Sequence, residues 1–175
     1  PIGSASRFGA VAGAGDVDGD GKADIIVAAP FETVGSDSGR GRVYVFSGAD
    51  GTLLRVVDAP NPLLSGHFGS AVAAGDVTGD GNADIIVADP SENTASLGVN
   101  QGRVYVFSGT DGSLIYSHST PYLTMRFGQF GRSLAVGDVN GDGKADTIVG
   151  AWVGDFLGSY PLAQGYAEIF SGADG

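Results

Sequence analysis

The acidic stretch "GDVDGDGKAD" (Gly15 to Asp24) returns as "GDVTGDGNAD" (Gly75 to Asp84) and "GDVNGDGKAD" (Gly137 to Asp146). More than the acidic loop repeats. A Phe-Gly pair stands eight residues ahead of each first aspartate, at Phe8-Gly9, Phe68-Gly69 and Phe130-Gly131. A chain that is self-similar with a period near sixty residues is built from stacked copies of one supersecondary unit, and every local feature has to fit that unit.

Each copy reads as four short strands: a small-residue run such as "AVAAGDV" (Ala71 to Val77), then "DIIVA", then "RVYVF", then "TLLRVV" (Thr52 to Val57) or "SLIYS" (Ser113 to Ser117). No stretch carries a helical period. Asp24-Ile25-Ile26-Val27-Ala28 and Asp84-Ile85-Ile86-Val87-Ala88 are apolar on consecutive positions, as a strand needs when both its faces are covered. The third strands end at "SGADG" or "SGTDG", a turn sequence leading into the fourth. Glycine, 31 of 175 residues, is more than twice as frequent as the average of about 7% and shows no period of three, which favours many tight turns.

These features predict an all-β chain of β-propeller blades, three four-stranded antiparallel units in one repeat array. The blades are expected at about residues 1–60, 61–121 and 122–175, the last incomplete. The third copy stops at "SGADG" (Ser171 to Gly175), where the first two continue into a fourth strand, so it is expected to lack its outer strand and to leave Tyr166 to Phe170 at an open edge. Propellers close with about four to eight blades, so three make a partial propeller. Either the chain is a piece of a longer propeller, or it assembles with other copies. Both arrangements leave apolar faces at the two ends of the isolated stack, and association at micromolar concentration is expected.

The repeated loop has the chemistry of a cation site. With Asp16 as position 1, Asp18 and Asp20 fall at positions 3 and 5, Gly21 permits the turn at 6, Lys22 offers a main-chain carbonyl at 7, and Asp24 is position 9. A hard cation such as Ca²⁺ takes six to eight oxygens, of which such a loop supplies about five and water the rest. Four carboxylates this close repel one another until a metal neutralises them. The second loop offers Asp76, Thr78, Asp80, the carbonyl of Asn82, and Asp84; the third offers Asp138, Asn140, Asp142, the carbonyl of Lys144, and Asp146. Three Ca²⁺ sites are therefore expected, the first binding most tightly because it alone has four carboxylates, and the second most weakly. A helical EF-hand loop needs an acid at position 12, where this chain has Val27, Val87 or Val149 within β-branched runs, so the loop joins two strands.

Other chemistries find little support. Half of the twenty acidic residues sit in these loops and the remaining ten nearly balance nine Lys and Arg, so the formal charge of −11 belongs to three small sites and nucleic acid is not an expected partner. No long apolar run occurs, so membrane insertion is not expected. Without cysteine there is neither a disulfide nor a thiolate site. "HExxH" and "GxSxG" are absent, and His67 and His118 read as surface residues. The "GK" at Gly21-Lys22 and Gly143-Lys144 is followed by alanine where a phosphate loop needs Ser or Thr. No catalytic residue is assigned.

The Phe-Gly pairs, the acidic loops, "AAP" (Ala28 to Pro30), "ADP" (Ala88 to Pro90) and the two "GRVYVF" segments from Gly41 and Gly102 resemble the FG-GAP repeat family, the blade unit of integrin α-subunit propellers. The third copy departs after its loop, with "GAW" (Gly150 to Trp152) and "GYAEIF" (Gly165 to Phe170). The resemblance implies calcium between the first and second strands on one rim. It implies ligand contacts on the opposite rim, here Phe31 to Arg40, Ser91 to Gln101 and Val153 to Gln164, with Pro60 to His67 and Thr120 to Gln129. Trp152, Phe156 and Tyr160 make the third of these the most aromatic and the candidate ligand-binding group, with inter-blade packing as the plainer role. The function expected is a non-catalytic calcium-binding module for extracellular or cell-surface recognition or adhesion, with a protein or glycan ligand and other propeller blades or further copies as partners. The alternatives are an accessory segment of a secreted polysaccharide- or lipid-active enzyme, and a structural scaffold.

Overall fold

The computed structural model describes residues 6–9, 11–61, 66–93, 100–120, 128–152 and 165–172, which form β-strands and, among the described residues, no helix. The first copy is an antiparallel meander of β1 (Val11–Gly15), β2 (Asp24–Ala29), β3 (Arg42–Phe46) and β4 (Leu53–Asp58). The second repeats it as β5 (Ala71–Gly75), β6 (Asp84–Asp89), β7 (Arg103–Phe107) and β8 (Leu114–Ser119). The third has β9 (Phe130–Gly137), β10 (Asp146–Ala151) and, at the sheet edge as expected, β11 (Tyr166–Phe170). Pairing of Gly15 with Asp24, Gly75 with Asp84 and Gly137 with Asp146 makes each acidic loop the tip of a hairpin between first and second strands. The strand expected over Ala71 to Val77 ends at Gly75, because the Val77 N–H turns to the Asp84 carboxylate at 3.0 Å. The fourth strands lie slightly further along the chain than "TLLRVV" and "SLIYS" suggested.

The three sheets stack in chain order, and among the described residues only the middle one is covered on both faces. Ile85 and Val87 of β6 pack with Ile26, Ala28, Val43 and Val45 of the first sheet, while Ile86 and Ala88 join Val149 and Ala151 of the third. Every β6 residue is buried. In β2, which has the same apolar run, Ile25 is 48% exposed because no sheet lies on that side among the described residues. Each fully buried Val, Ile or Phe contributes roughly 1.5–3 kcal/mol, so most of the stability resides between sheets.

The second and third Phe-Gly pairs bring their backbone against the preceding sheet. Phe68 and Phe130 are fully buried. The Phe68 ring meets Tyr105 and Phe107 edge-on, with centroids 5.9 and 6.1 Å away, and its N–H donates to the Arg40 carbonyl at 3.2 Å. The Phe130 N–H donates to the Gln101 carbonyl at 2.9 Å. This approach requires glycine opposite: a Cβ on Gly41 would lie 2.2 Å from the Phe68 carbonyl oxygen, and one on Gly102 2.2 Å from that of Phe130.

Buried acids lie beside these contacts, since the Gly41 and Gly102 N–H groups donate to the main-chain carbonyls of Glu32 at 3.1 Å and Glu92 at 2.9 Å. Glu92, 1% exposed, accepts from Arg103 Nε at 3.0 Å, from Asn61 Nδ2 at 3.1 Å and from the Tyr105 hydroxyl. Glu32 accepts from the Tyr44 hydroxyl at 2.8 Å. Asp89 stands where the other copies have Ala29 and Ala151. Burial, and then the neighbouring Glu92 charge, push its carboxyl up to about 7. The histidines are not surface residues: His118 stacks on Phe170 at 3.7 Å between the second and third sheets, and His67 lies 4.5 Å from the Phe31 ring with Nδ1 3.2 Å from Ser91 Oγ. Burial lowers the pKa of both.

Two outcomes are expected. Gly102→Ala, at φ +89° and against backbone, loses more than about 3 kcal/mol in denaturant unfolding, whereas Gly51→Ala, at φ +77° but in open space, loses only the left-handed cost of roughly 1–2 kcal/mol. The Asp89 carboxyl is raised in the folded state, so its contribution to stability is full below the unfolded value near 4 and is lost as pH rises through about 7. Asp89→Asn therefore raises the unfolding free energy at pH 8 by about 2 kcal/mol or more and changes it least near pH 4.

Candidate metal centres

Glycines and main-chain N–H groups shape the first loop around its acids. Asp16 accepts from the Gly19 N–H at 2.8 Å through Oδ1 and from Gly21 at 2.9 Å through Oδ2; Asp18 accepts from Asp20 at 3.1 Å and Asp20 from Lys22 at 2.8 Å. Gly19 and Gly21 take φ of 77° and 86°, which turns successive N–H groups inward. Asp24 is fully buried, with Oδ2 bonded to Val17 N at 2.9 Å and Oδ1 to Gly48 N at 2.9 Å. A carboxylate oxygen that takes one N–H keeps a second lone pair. Asp16, Asp18 and Asp24 each present an oxygen within 4.8 Å of the others, about the span of two ligands on one Ca²⁺. This donor set, all oxygen and anionic, fits a hard divalent cation.

The second and third loops copy the main-chain pattern but not the carboxylate set. Asp76 accepts from Gly79 at 2.6 Å and Gly81 at 2.8 Å, and Asp138 from Gly141 at 2.7 Å and Gly143 at 2.9 Å. The Gly143 N–H holds the Asp138 carboxyl below the usual range, while burial pushes that of Asp84 up. At position 3, Thr78 turns its hydroxyl to Asp76 at 3.4 Å, and Asn140 donates to Asp146 Oδ1 at 3.3 Å. Asp80 and Asp142 accept from the N–H groups of Asn82 at 2.8 Å and Lys144 at 2.9 Å. Among the described residues, only the first loop gathers three carboxylates this closely.

Sequence reasoning missed how the loops join the fold. The position-9 acids also hold the turn after the third strand: Asp24 bonds Gly48 N, Asp84 bonds Gly109 N at 3.0 Å and Asp146 bonds Gly172 N at 3.1 Å. The loops also touch across blades, with Ala83 N donating to the Asp16 carbonyl at 2.6 Å and Ala145 N to that of Asp76 at 2.8 Å. The signal available was the small residue at position 8 in every copy, Ala23, Ala83 and Ala145. A Cβ on Gly15 would come within 2.8 Å of the Ala83 Cβ.

At the opposite end of the strands Trp152 is 59% exposed, and the Arg132 guanidinium lies over its ring at 5.6 Å. The two border an open cavity of about 520 Å³ with Ser133, Gly150, Tyr166 and Ala167. Phe156 and Tyr160, the other members of the expected aromatic group, lie outside the described residues.

The sequence profile of the FG-GAP repeat matches residues 8–46, 68–107 and 130–160. Integrin alpha-2 of Bos taurus is 37% identical over 84% of the chain, and integrin alpha-4 of Xenopus laevis is 33% identical over 86%. Human phosphatidylinositol-glycan-specific phospholipase D is 32% identical over 83%. The chain spans 13%, 15% and 19% of these relatives. Among solved structures, the rhamnogalacturonan lyase YesW superposes with a TM-score of 0.54 at 17% identity, covering 97% of this chain and 36% of that one, a likeness of fold.

Calcium titration by calorimetry is expected to resolve sites of unequal affinity. Asp16→Ala removes the tightest and Asp76→Ala the weakest; the reverse order would contradict the carboxylate argument.

Proposed function

Because the chain belongs to the FG-GAP repeat family, we propose that it is a non-catalytic, calcium-binding propeller module for recognition or adhesion at the cell surface or outside the cell. The observation that carries this reading is the triad Asp16, Asp18 and Asp24 at a hairpin tip, with two further loops of the same build. Asp16, Asp18, Asp20, Asp24 and the Lys22 carbonyl are the proposed ligands of the first ion. Asp76, Thr78, Asp80, Asp84 and the Asn82 carbonyl serve the second; Asp138, Asn140, Asp142, Asp146 and the Lys144 carbonyl serve the third. Millimolar extracellular calcium suits such sites. The ion would neutralise the clustered acids; the chain itself contributes the N–H cradle that fixes those acids and the position-9 bond that ties the loop to the third strand.

Recognition is proposed on the rim opposite these loops, where Trp152 is exposed beside Arg132, with a protein or glycan as ligand. The open blade faces are proposed to receive further propeller blades. Among the described residues no helix is long and apolar enough to cross a membrane, and the acidic balance does not favour nucleic acid. The likeness to a phosphatidylinositol-glycan-specific phospholipase D supports a second reading, an accessory segment of a secreted lipid-active enzyme.

Thermal unfolding tests the calcium reading. A site saturated one-hundredfold stabilises by about 2.7 kcal/mol, so chelation with EDTA is expected to lower the Tm by several degrees and added calcium to restore it. An unchanged Tm would refute it.

A further inference from the structure

Neighbouring acidic loops touch through a peptide group that also carries a proposed ligand. The Asn82–Ala83 peptide offers its carbonyl at position 7 of the second loop and donates its N–H, through Ala83, to the Asp16 carbonyl of the first loop at 2.6 Å. The Lys144–Ala145 peptide repeats this one blade on, with its carbonyl at position 7 of the third loop and its N–H on the Asp76 carbonyl at 2.8 Å. Both acceptors belong to a position-1 aspartate, the residue around which each loop is wound. Asp16 takes the N–H groups of Gly19 and Gly21, and Asp76 those of Gly79 and Gly81.

A second contact runs beside each of these. A Cβ on Gly19 would meet Asn82 Oδ1, and one on Gly79 would stand 3.2 Å from Lys144 Cε. Gly15 and Gly75, which end β1 and β5, make room for the alanines, since an added Cβ would lie 2.8 Å from that of Ala83 and 3.2 Å from that of Ala145. Positions 7 and 8 of one loop are therefore seated on positions 1 and 4 of the loop before it.

A peptide whose carbonyl oxygen meets a cation becomes a stronger N–H donor, because the amide polarises as a unit and linked hydrogen bonds strengthen one another. Repulsion between two divalent ions acts in the opposite direction. Stacked sheets stand about 10 Å apart, beyond the screening length of about 8 Å at physiological ionic strength, and the acids of each loop cancel most of the charge that its neighbour would feel. The short hydrogen bond decides the sign.

We propose that the cation loops are coupled, occupancy of one raising the calcium affinity of the next through the Asn82–Ala83 and Lys144–Ala145 peptides. The coupling is reciprocal by linkage. It rests on the calcium reading above and adds regulation to it: the row of loops responds over a narrower calcium range than three independent sites, starting from the first loop with its four acids. Asn82, Ala83, Lys144 and Ala145 are positioning residues for the loop before them as well as parts of their own.

The experiment is a calcium titration of the whole chain followed by amide NMR, in which the Gly81 N–H reads the second loop and the Gly143 N–H the third. Wild type is compared with the double variant Asp18→Ala, Asp20→Ala, which strips two exposed acids from the first loop and keeps Asp16 and Ala83; circular dichroism confirms that it is folded. The second loop is expected to need at least about fivefold more calcium for half-filling in the variant, with a smaller change at the third loop. The difference is expected to persist in about 0.5 M KCl, where effects of charge through space are screened, and the Ala83 amide proton is expected to move downfield as the second loop fills. Equal second-loop affinity in the two proteins would overturn the coupling and leave the calcium reading standing. Tighter binding in the variant, or a difference abolished by salt, would assign the effect to charge and overturn it likewise. A wild type whose loop amides ignore calcium would remove both readings.

Discussion

A blade of this kind is apolar on both faces, and four strands cannot cover their own two sides. That constraint organises the molecule. β6 is buried at every position because a sheet lies on each side of it, while β2, with the same Ile-Ile-Val sequence, leaves Ile25 in solvent. Burial belongs to the position of a blade in the stack and not to its sequence. The close approach that makes stacking possible is steric: only glycine at 41 and 102 leaves room for the Phe68 and Phe130 backbones of the following sheet, 2.2 Å from where a Cβ would stand.

The candidate metal centres are part of the same construction. Asp24, Asp84 and Asp146 are fully or almost fully buried carboxylates, and a buried charge is costly unless hydrogen bonds compensate it. Each receives main-chain donors from its own loop and from the turn after the third strand. One residue thus closes the acidic loop, anchors the distal turn and fixes the start of the second strand. The carbonyls of Asp16 and Asp76 extend the connection to the next blade, so the loops form a row along one rim in which order at one site supports the next.

The three copies are similar without being equivalent. The first retains four acids in its loop and an exposed Phe8; the second has Phe68 buried, two covered faces and an extra buried acid, Asp89, beside Glu92; the third has small residues on its far face and Trp152 at its rim. Substitutions at matched positions therefore differ in consequence. Val104 lies under Gly131, where an added Cβ would come within 3.0 Å of it, while Ala167 borders an open cavity.

The sequence by itself determined the repeat, the strand content and the hairpin position of the acidic loops, because each is written in local pattern: β-branched runs, Asp and Gly at fixed spacing, and recurrent turns. Position 3 already distinguished the first loop, since Asp18 has no acidic counterpart in Thr78 or Asn140. Only the tertiary structure decided that His118 is sandwiched against Phe170, that Glu92 is wrapped by Arg103, Asn61 and Tyr105, and that Asp24 reaches Gly48. These contacts join residues far apart in the chain, and their formation depends on how closely two sheets approach. No local periodicity encodes that distance, which is set where a phenylalanine of one blade meets a glycine of another.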